Sequence, residues 1–538
     1  MNVDGARVAD PGSGGRKAVD RPAVTLSKDA VARQGGGIGA VFVHQQANRA
    51  VGQGHQQVLR RGRAAAEIAS AEEGCDRRAS EPREGVDQVD AMVNEAVPGA
   101  ARTACGIVGR AHVIAPLGPA AADQKRMLGV PFERHETVRV AIVGTGLRGR
   151  SVLGELLAIE GVRITALADI APDAAAQAAK MVTAKGQPQP AMFTNGERDF
   201  EKLVQRDDID FVYTATPWHW HTPVAIAAMK AGKHAGTEVP SGLTIEDCWA
   251  LVDTSERTRK HCLLMENCCY GESELTVLRM VRDGLFGELL HGDAAYLHDL
   301  RAILNENRSE GLWRRKPHTE RNGNFYTTHG LGPVAQYMGV HRGDRFDYMV
   351  SMSTPERGLS EYREATVKDR NDPKWKEKYI AGDLNSSLIK TVKGRTILLQ
   401  HDVVNPRPYS RLNGVQGTKG IFNDYPPRVY IEGTKGGERW SPLSDFKNDF
   451  AHPLWVNVGE LAKKMGGHGG MDFIMCYRLI QCMREGLVPD FDVYDAAAWS
   501  APGPLSERSV AKGSAPQKFP DFTRGAWDTL PPLSYKVG

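Results

Sequence analysis

The stretch Val138-Arg-Val-Ala-Ile-Val-Gly-Thr-Gly-Leu-Arg-Gly149 decides the fold of this chain. Its first six residues form an apolar run, which is typical of a buried parallel strand. The glycines that follow have the spacing GxGxxG, and residues 150–159 then carry apolar side chains at helical spacing. A strand, a glycine-rich turn and a helix in this order predict a βαβ unit that binds a dinucleotide.

Each glycine of this stretch has a separate physical task. Gly144 allows the tight turn, Gly146 lets the backbone approach a pyrophosphate, and Gly149 permits close packing of helix on strand. Asp169 ends the next β-like run, at the distance where an acidic side chain bonds the ribose 2′-hydroxyl. Because a carboxylate there repels a 2′-phosphate, the sequence predicts NAD rather than NADP as the cofactor.

Further strand and helix patterns follow up to about residue 270. Predicted strands end near Pro217, Pro240 and Asn267, and Thr244 is expected to cap the helix between the last two. In an open α/β sheet, ligands bind beyond the carboxyl ends of the strands. This rule places a set of polar and aromatic residues around the cofactor: Trp218, His219, Trp220, His221, Glu238 and Asn267.

The pattern changes to α+β beyond about residue 271. Strands are predicted at 291–298, at 385–399 with a turn near Lys393-Gly394, and at 428–432. Residues 473–485 are predicted to form a helix that returns to pack near the first domain. We therefore expect a Rossmann domain at 127–270, and an α+β substrate and oligomerisation domain at 271–538 with a C-terminal helix and tail.

Residues 1–126 have a different composition, with Phe42 as their single aromatic residue. Such a segment buries little apolar surface and is not expected to fold alone. Two hypotheses are open: a disordered extension, or upstream sequence translated from a start codon placed too early, with Met127 as the true start. The likeness to translated GC-rich non-coding DNA favours the second, and neither hypothesis gives the segment a function.

The overall composition excludes several classes of protein. The formal net charge of +3 argues against a nucleic-acid binder. No apolar run approaches the ~20 residues that a membrane-spanning helix needs. The 8 cysteines of so long a chain do not indicate a disulfide framework, and they favour a reduced, cytoplasmic protein.

Residues 138–267 resemble the sugar oxidoreductases of the Gfo/Idh/MocA group. That group has a Glu-Lys-Pro motif whose lysine helps hydride and proton transfer, whereas this chain has Glu238-Val239-Pro240. Glycoside hydrolase family 109, the NAD-dependent α-N-acetylgalactosaminidases, is a closer resemblance. Five motifs carry it: Trp218-His-Trp-His221, Gly236-Thr-Glu-Val-Pro240, Met265-Glu-Asn-Cys-Cys-Tyr-Gly271, Tyr326-Thr-Thr-His-Gly-Leu-Gly-Pro333 and Gly467-His-Gly-Gly-Met-Asp-Phe473.

The resemblance also implies how the second half of the chain is built. It implies a second domain built on a largely antiparallel sheet, whose open face often forms the oligomer interface, so a homo-oligomer is expected. Family members often carry a twin-arginine export signal, and none is visible near Met127.

The resemblance implies roles for particular residues. The expected NAD contacts are Leu147, Arg148, Asp169, Trp218 to His221, Glu238, Val239 and Asn267. The expected sugar contacts are Tyr296, Arg314, Tyr326, Thr327, Thr328, His329 and Tyr409, with His329 and Tyr409 as the catalytic candidates.

The resemblance also implies an unusual mechanism for a small glycoside substrate. NAD oxidises the sugar at C3, a base removes the C2 proton, and the aglycone leaves by elimination. Water then adds, and C3 is reduced again, so that the cofactor ends as it began. The protein orients the cofactor and substrate and transfers the protons.

The residues alone leave other interpretations open. His329 lies in a Gly/Pro-rich segment that predicts a loop, and it could simply hydrogen-bond a carbonyl group. Tyr409 could be a packing residue. His219 and His221 are too few for a catalytic zinc site, which needs about three protein ligands, so no metal is expected. An NAD-dependent sugar or cyclitol dehydrogenase is the alternative enzyme, although Val239 opposes it, and a non-enzymatic NAD-binding regulator is the third hypothesis.

Overall fold

The structure is a computed structural model that describes residues 125–434 and 437–531. The N-terminal extension expected at 1–126 lies outside these ranges except for its last two residues. Across the described ranges, no helix is both long and apolar enough to cross a bilayer.

Six parallel strands form the first sheet. They are β1 (Val138–Val143), β2 (Val162–Ala168), β3 (Ala191–Phe193), β4 (Phe211–Thr214), β5 (His234–Thr237) and β6 (Cys262–Leu264). Their order is β3-β2-β1-β4-β5-β6, which is the order of a doubly wound dinucleotide-binding sheet. The predicted Rossmann fold is therefore confirmed.

Helices connect these strands and cover both faces of the sheet. They are α1 (Leu147–Leu156), α2 (Pro172–Ala184), α3 (Phe200–Leu203), α4 (His221–Lys230) and α5 (Ile245–Thr258). Because both faces are covered, β1 is buried along almost its whole length, as its apolar run predicts. Thr244 and Asp247 exchange hydrogen bonds with each other's backbone N–H groups at the start of α5, so the predicted cap is confirmed.

A second, nine-stranded sheet lies in the C-terminal half. Its strands are β7 (Leu289–Leu297), β8 (Phe346–Ser353), β9 (Asn385–Thr391), β10 (Thr396–Asp402), β11 (Gly414–Gly417), β12 (Gly420–Asn423), β13 (Arg428–Ile431), β14 (Ser441–Pro442) and β15 (Gln517–Lys518). The strand order is β14-β13-β12-β11-β7-β10-β9-β8-β15. Within the described residues, β7 with β10 is the single parallel pairing of this sheet, so the largely antiparallel sheet is confirmed. The predicted turn at Lys393-Gly394 joins β9 to β10, with Gly394 at positive φ.

The helices of the C-terminal half pack on this sheet and on the first domain. They are α6 (Glu272–Arg282), α7 (Arg301–Leu304), α8 (Gly311–Arg314), α9 (Pro317–Glu320), α10 (Thr328–Met338), α11 (Gly358–Thr366), α12 (Lys447–Phe450), α13 (Pro453–Met465), α14 (Met471–Glu485), α15 (Val493–Ser500) and α16 (Pro502–Ala511). Helix α14 packs against α1, which is the return predicted for residues 473–485. One hydrophobic core includes residues of both halves. We propose that the boundary between the two domains lies near residue 270, after the last strand of the first sheet.

Candidate active site

The glycine loop between β1 and α1 has the geometry that a dinucleotide requires. Gly144 has φ +89°, and a Cβ there would come within 2.8 Å of the Ala215 backbone. A Cβ on Gly149 would lie 1.9 Å from the carbonyl oxygen of Gly144, so only glycine allows this turn. At Gly146 a Cβ would meet no atom within 4 Å and would occupy the open cleft instead. The loop therefore leaves its backbone free to approach a pyrophosphate, and the site fits NAD.

Asp169 lies at the carboxyl end of β2, where the sequence predicts the ribose contact. Its Oδ2 accepts hydrogen bonds from the backbone N–H of Thr145, at 2.6 Å, and from the Thr145 hydroxyl, at 3.0 Å. Its Oδ1 accepts from the N–H of Ala171 at 2.8 Å. These bonds fix the carboxylate at the edge of the cleft, where it is available to a ribose hydroxyl.

A cavity of about 320 Å³ extends from the glycine loop along the carboxyl ends of the strands. Of the predicted cofactor residues, it is lined by Gly144, Gly146, Leu147, Arg148, Asp169, His219 and Trp220. The C-terminal half supplies Ser309, Glu310, Leu312 and Trp313 to the opposite wall. Sequence reasoning did not assign this wall to the cofactor, because its residues are more than a hundred positions from the glycine motif.

The other predicted cofactor residues lie behind the lining of this cavity. His221 is buried, with Nδ1 2.7 Å from the Pro240 carbonyl oxygen and Nε2 2.9 Å from that of Thr216. Burial lowers the pKa of His221. Val239 is buried, and Trp218 packs edge-on against Trp313 with ring centroids 5.1 Å apart. Gly149, Glu238 and Asn267 likewise do not line this cavity.

The guanidinium group of Arg148 joins the glycine loop to two carboxylates. Its Nε donates to Glu238 at 2.7 Å, and one terminal nitrogen donates to Asp472 at 2.7 Å. The Tyr213 hydroxyl donates to the same Glu238 oxygen at 2.6 Å. Glu238 is thus held by two donors at the end of β5, in the motif where the lysine of the related oxidoreductases is replaced by Val239.

His329 lies in the first turn of α10, so the prediction that it occupies a loop is wrong. Glycines usually favour turns, but here they allow close packing. A Cβ on Gly330 would lie 2.2 Å from the backbone nitrogen of Ala295 in β7, and one on Gly332 would lie 3.0 Å from the Cys269 sulfur. The glycines bring the helix against the sheet and carry His329 to a fixed position.

The imidazole of His329 lies between an acid and a tyrosine. Its Nδ1 is 2.7 Å from Glu266 Oε1, and its Nε2 is 3.3 Å from the Tyr326 hydroxyl. Glu266 is fully buried and also accepts from the N–H of Cys268 at 3.1 Å. Although burial alone raises the pKa of Glu266, the charge and hydrogen bond of His329 lower it below its ordinary value. A carboxylate that orients an imidazole in this way prepares it for proton transfer.

Aromatic rings pack around His329, and the contact of Trp218 with Trp313 connects them to the cofactor cleft; we call this cluster the aromatic pocket. Tyr326 lies 4.4 Å from Tyr296 between ring centroids, and Tyr296 lies 5.5 Å from His329. The Arg314 guanidinium lies 5.2–5.4 Å from the ring centroids of Trp218, Trp313 and Tyr326, and pairs with Glu310 at 2.9 Å. The predicted sugar residues Tyr296, Arg314, Tyr326 and His329 are thus brought together.

Tyr409 lies at the outer edge of this pocket, after β10. Its ring is 6.0 Å from that of Tyr296, and 39% of the residue is exposed. Burial of the hydroxyl, with the neighbouring Cys268, raises the pKa of Tyr409 well above its ordinary value. Thr327 and Thr328, by contrast, are buried, and the Thr327 hydroxyl donates to the carbonyl of Trp499 rather than facing the pocket.

Glu266 was missed by the sequence reasoning, although it lies within a quoted motif. Only the position just before Asn267, at the end of a predicted strand, could have indicated it. In the described part of the chain, Glu266, Cys268 and His329 form one group whose potential metal-ligating atoms lie within 4.8 Å of one another. We interpret its short contact, between Glu266 and His329, as a hydrogen bond. Burial raises the pKa of the Cys268 thiol well above its ordinary value.

Two protein-family models match consecutive parts of the chain. The model of the glycosyl hydrolase 109 C-terminal domain matches residues 270–529, and that of the oxidoreductase family with an NAD-binding Rossmann fold matches 138–266. A glycosyl hydrolase family 109 protein of Solibacter usitatus is 56% identical over 425 residues, which is 79% of this chain and 97% of that protein. A protein of the same description from Saccharopolyspora erythraea is 55% identical over 418 residues, covering 78% and 90%.

Among solved structures, levoglucosan dehydrogenase in complex with NADH and levoglucosan is similar in fold. The TM-score is 0.55 at 20% identity, over 71% of this chain and all of that one. At this identity the likeness concerns the fold alone.

Proposed function

The chain belongs to glycosyl hydrolase family 109, and on that premise we propose that it removes terminal α-linked N-acetylgalactosamine with retention of configuration. The enzyme is a glycoside hydrolase that binds NAD, and the proposal concerns its sugar and its mechanism. The contact of His329 with Glu266, inside a ring of aromatic side chains beside the cofactor cleft, carries this proposal.

Bound NAD would supply one kind of chemistry, the reversible oxidation of the sugar at C3. Most glycosidases instead use two carboxyl groups that flank the scissile bond. Here the carboxylate that contacts His329, Glu266, is fully buried. This arrangement favours a reaction in which an imidazole moves protons and no carboxylate attacks the sugar.

His329 is the proposed base for the sugar ring. A ketone at C3 makes the C2 proton acidic, and Nε2 of His329 takes that proton as the C1–O bond breaks. Glu266 stabilises the imidazolium that results, since its charge lies 2.7 Å from Nδ1. After water has added at C1, the same nitrogen returns the proton to C2.

Tyr409 is the proposed acid for the leaving group. Because its pKa is raised, the hydroxyl is protonated near neutral pH and can donate a proton in the elimination step. It is partly exposed at the outer edge of the pocket, which is where a departing aglycone must pass. Its proton goes to the aglycone oxygen, and the water that adds at C1 returns a proton to the tyrosine.

Arg314 is the proposed platform for the sugar. Its charge lies against Trp218, Trp313 and Tyr326, and a guanidinium packed on rings is held rigidly. A rigid donor next to aromatic faces suits a ligand that carries both hydroxyl groups and C–H faces.

The test uses p-nitrophenyl α-N-acetylgalactosaminide, with nitrophenol release and NADH absorbance followed in the same cuvette. We expect nitrophenol release without lasting NADH, and loss of release in His329→Ala. Stoichiometric NADH with free sugars and no nitrophenol would overturn the proposal. It would indicate a sugar dehydrogenase that works without the usual lysine.

We further propose a homo-oligomer in which a second copy covers the open face of the nine-stranded sheet. Val350, Leu388 and Leu398 are directly opposite one another on β8, β9 and β10, and Leu388 is 45% exposed. Sedimentation of the Leu388→Asp variant tests this, since a charge at this position should favour the monomer.

The buried thiols of Cys268 and Cys269 favour a reducing compartment, and we propose that the protein acts in the cytoplasm.

A further inference from the structure

Asp472 is a buried acid that the proposed reaction does not use. It is the second residue of α14 and belongs to the Gly467–Phe473 motif. Its Oδ1 accepts from the side-chain amide of Asn267 at 2.7 Å. Its Oδ2 accepts from Arg148 at 2.7 Å and lies 2.8 Å from Nδ1 of His468.

Two of these partners belong to the cofactor site. Arg148 lines the cavity beside Gly146 and Leu147. Asn267 follows the carboxyl end of β6, the edge at which ligands of such sheets bind. One carboxylate from the C-terminal half therefore fixes a side chain of the glycine loop and a side chain three strands away.

The buried carboxylate of Asp472 and the buried guanidinium group of Arg148 stabilise each other's charge. Burial alone would raise the pKa of Asp472, but the Arg148 charge and the His468 hydrogen bond hold it well below its ordinary value. Burial would lower the pKa of Arg148, yet the carboxylates of Glu238 and Asp472 raise it. Both groups are thus ionised, and the guanidinium is held between one carboxylate on each side.

The glycine before this acid has a steric reason. A Cβ on Gly467 would come within 2.5 Å of Glu155 Oε1 and 2.8 Å of Asp472 Oδ2. Only a glycine lets this loop approach α1 so closely that Asp472 reaches Arg148. The motif therefore places an acid against the glycine loop from the opposite half of the protein.

We propose that Asp472 is a positioning residue for NAD, which holds Arg148 and Asn267 in the arrangement that the bound cofactor requires. The proposal concerns cofactor binding and does not depend on which sugar the enzyme accepts. Without the Asp472 charge, Arg148 keeps Glu238 as its only described carboxylate partner, and its terminal nitrogens are no longer fixed by an acid, so bound NAD loses part of a fixed wall.

Asp472→Asn tests this, because asparagine keeps the shape and removes the charge. Trp220 and Trp313 line the cavity, so quenching of their fluorescence reports NAD binding without any sugar. The NAD that remains bound through purification is a second measure. We expect at least a tenfold rise in the Kd for NAD and a lower NAD content. Asp472→Ser leaves room for a water and serves if the first variant does not fold.

Asp490→Asn is the matched control. Asp490 is also buried and pairs with an arginine of the same helix, Arg478, at 2.9 Å, but it lies outside the cofactor cavity. The Asp490→Asn substitution should lower the Tm and leave the Kd for NAD unchanged. If Asp472→Asn binds NAD within twofold of the wild type, or if both variants weaken NAD equally, Asp472 is merely structural and the proposal fails. A chain that binds NAD as expected but cleaves no glycoside would overturn the proposed function instead.

Discussion

Nδ1 of His329 lies 2.7 Å from Oε1 of Glu266, and the two residues come from opposite halves of the protein. Glu266 follows β6 of the first sheet, whereas His329 begins α10 of the second domain. The bond fixes the ring so that Nε2 faces the Tyr326 hydroxyl and the aromatic pocket. The catalytic arrangement therefore depends on correct docking of the two halves.

Replacing Glu266 by glutamine should lower kcat by about 10²–10³-fold, within the range of a general acid–base contribution. The amide cannot stabilise the imidazolium, and its NH₂ group can turn the ring to the wrong tautomer. Turnover of p-nitrophenyl α-N-acetylgalactosaminide measures the effect, and NAD content should stay at the wild-type level. The double variant with His329→Ala should be no slower than His329→Ala alone; fully additive losses would contradict a shared role.

Tyr409→Phe should reduce kcat by about 10–100-fold, since it removes the acid for the leaving group. The Tm should change little, because the hydroxyl makes no hydrogen bond to any residue that the structure describes. The loss should be smaller for a substrate with a nitrophenol leaving group than for an alkyl glycoside, since nitrophenol needs less protonation.

Tyr425→Phe is the control for this variant. Tyr425 lies 6.0 Å from Tyr409 between ring centroids, and its hydroxyl accepts from Arg411 at 2.9 Å. Its kcat should stay within threefold of the wild type. An equal loss in both variants would indicate that the aromatic edge of the pocket, and not the Tyr409 proton, matters.

Asp169→Ala should weaken NAD binding at least tenfold and narrow the preference for NAD over NADP. The wild-type carboxylate is fixed by Thr145 and Ala171, so it repels a 2′-phosphate from a rigid position. Competition between the two cofactors, read by tryptophan fluorescence, measures the preference. Equal affinities of the wild type for both cofactors would contradict the role assigned to Asp169.

The first domain could be predicted in detail because its signals are local. The strand, the glycine loop and the acid of the NAD site lie within about thirty consecutive residues, Val138 to Asp169. The pairs that complete the site are not local: Glu266 and His329 are 63 residues apart, and Arg148 and Asp472 are 324 apart. No spacing rule connects such residues. His329 was identified as a candidate through the resemblance to a family, whereas the roles of Glu266 and Asp472 could be recognised only in the structure.

The helix at His329 shows a second limit of the sequence signals. Glycine and proline in Gly330-Leu-Gly-Pro333 are breakers by local propensity, and they predict a loop. The structure uses the absence of side chains on Gly330 and Gly332 for packing on β7 and Cys269 instead. Tertiary contacts therefore outweighed the propensity for a turn.

Glu155 should make the stability of the protein depend on pH. Burial and the nearby charge of Asp472 raise its pKa from 4.5 to about 7 in the folded protein, against opposing effects of the Gly467 N–H, Arg148 and His468. Between these two values the folded state binds more protons than the unfolded state, so the free energy of unfolding falls as the pH rises through this window. At about 1.4 kcal/mol per pKa unit the full shift corresponds to roughly 3 kcal/mol, and because solvent screens part of this, the loss should amount to roughly 2 kcal/mol and be complete about one pH unit above the folded pKa. The glutamine of the Glu155→Gln variant cannot ionise, so the Tm of the variant should exceed that of the wild type at about pH 8 by a few degrees, and the difference should shrink towards about pH 5.

Thermal unfolding of both proteins across this pH range measures the difference in Tm, and subtracting one curve from the other removes all titrations that the two proteins share. A difference in Tm that does not change with pH would show that Glu155 keeps one protonation state throughout.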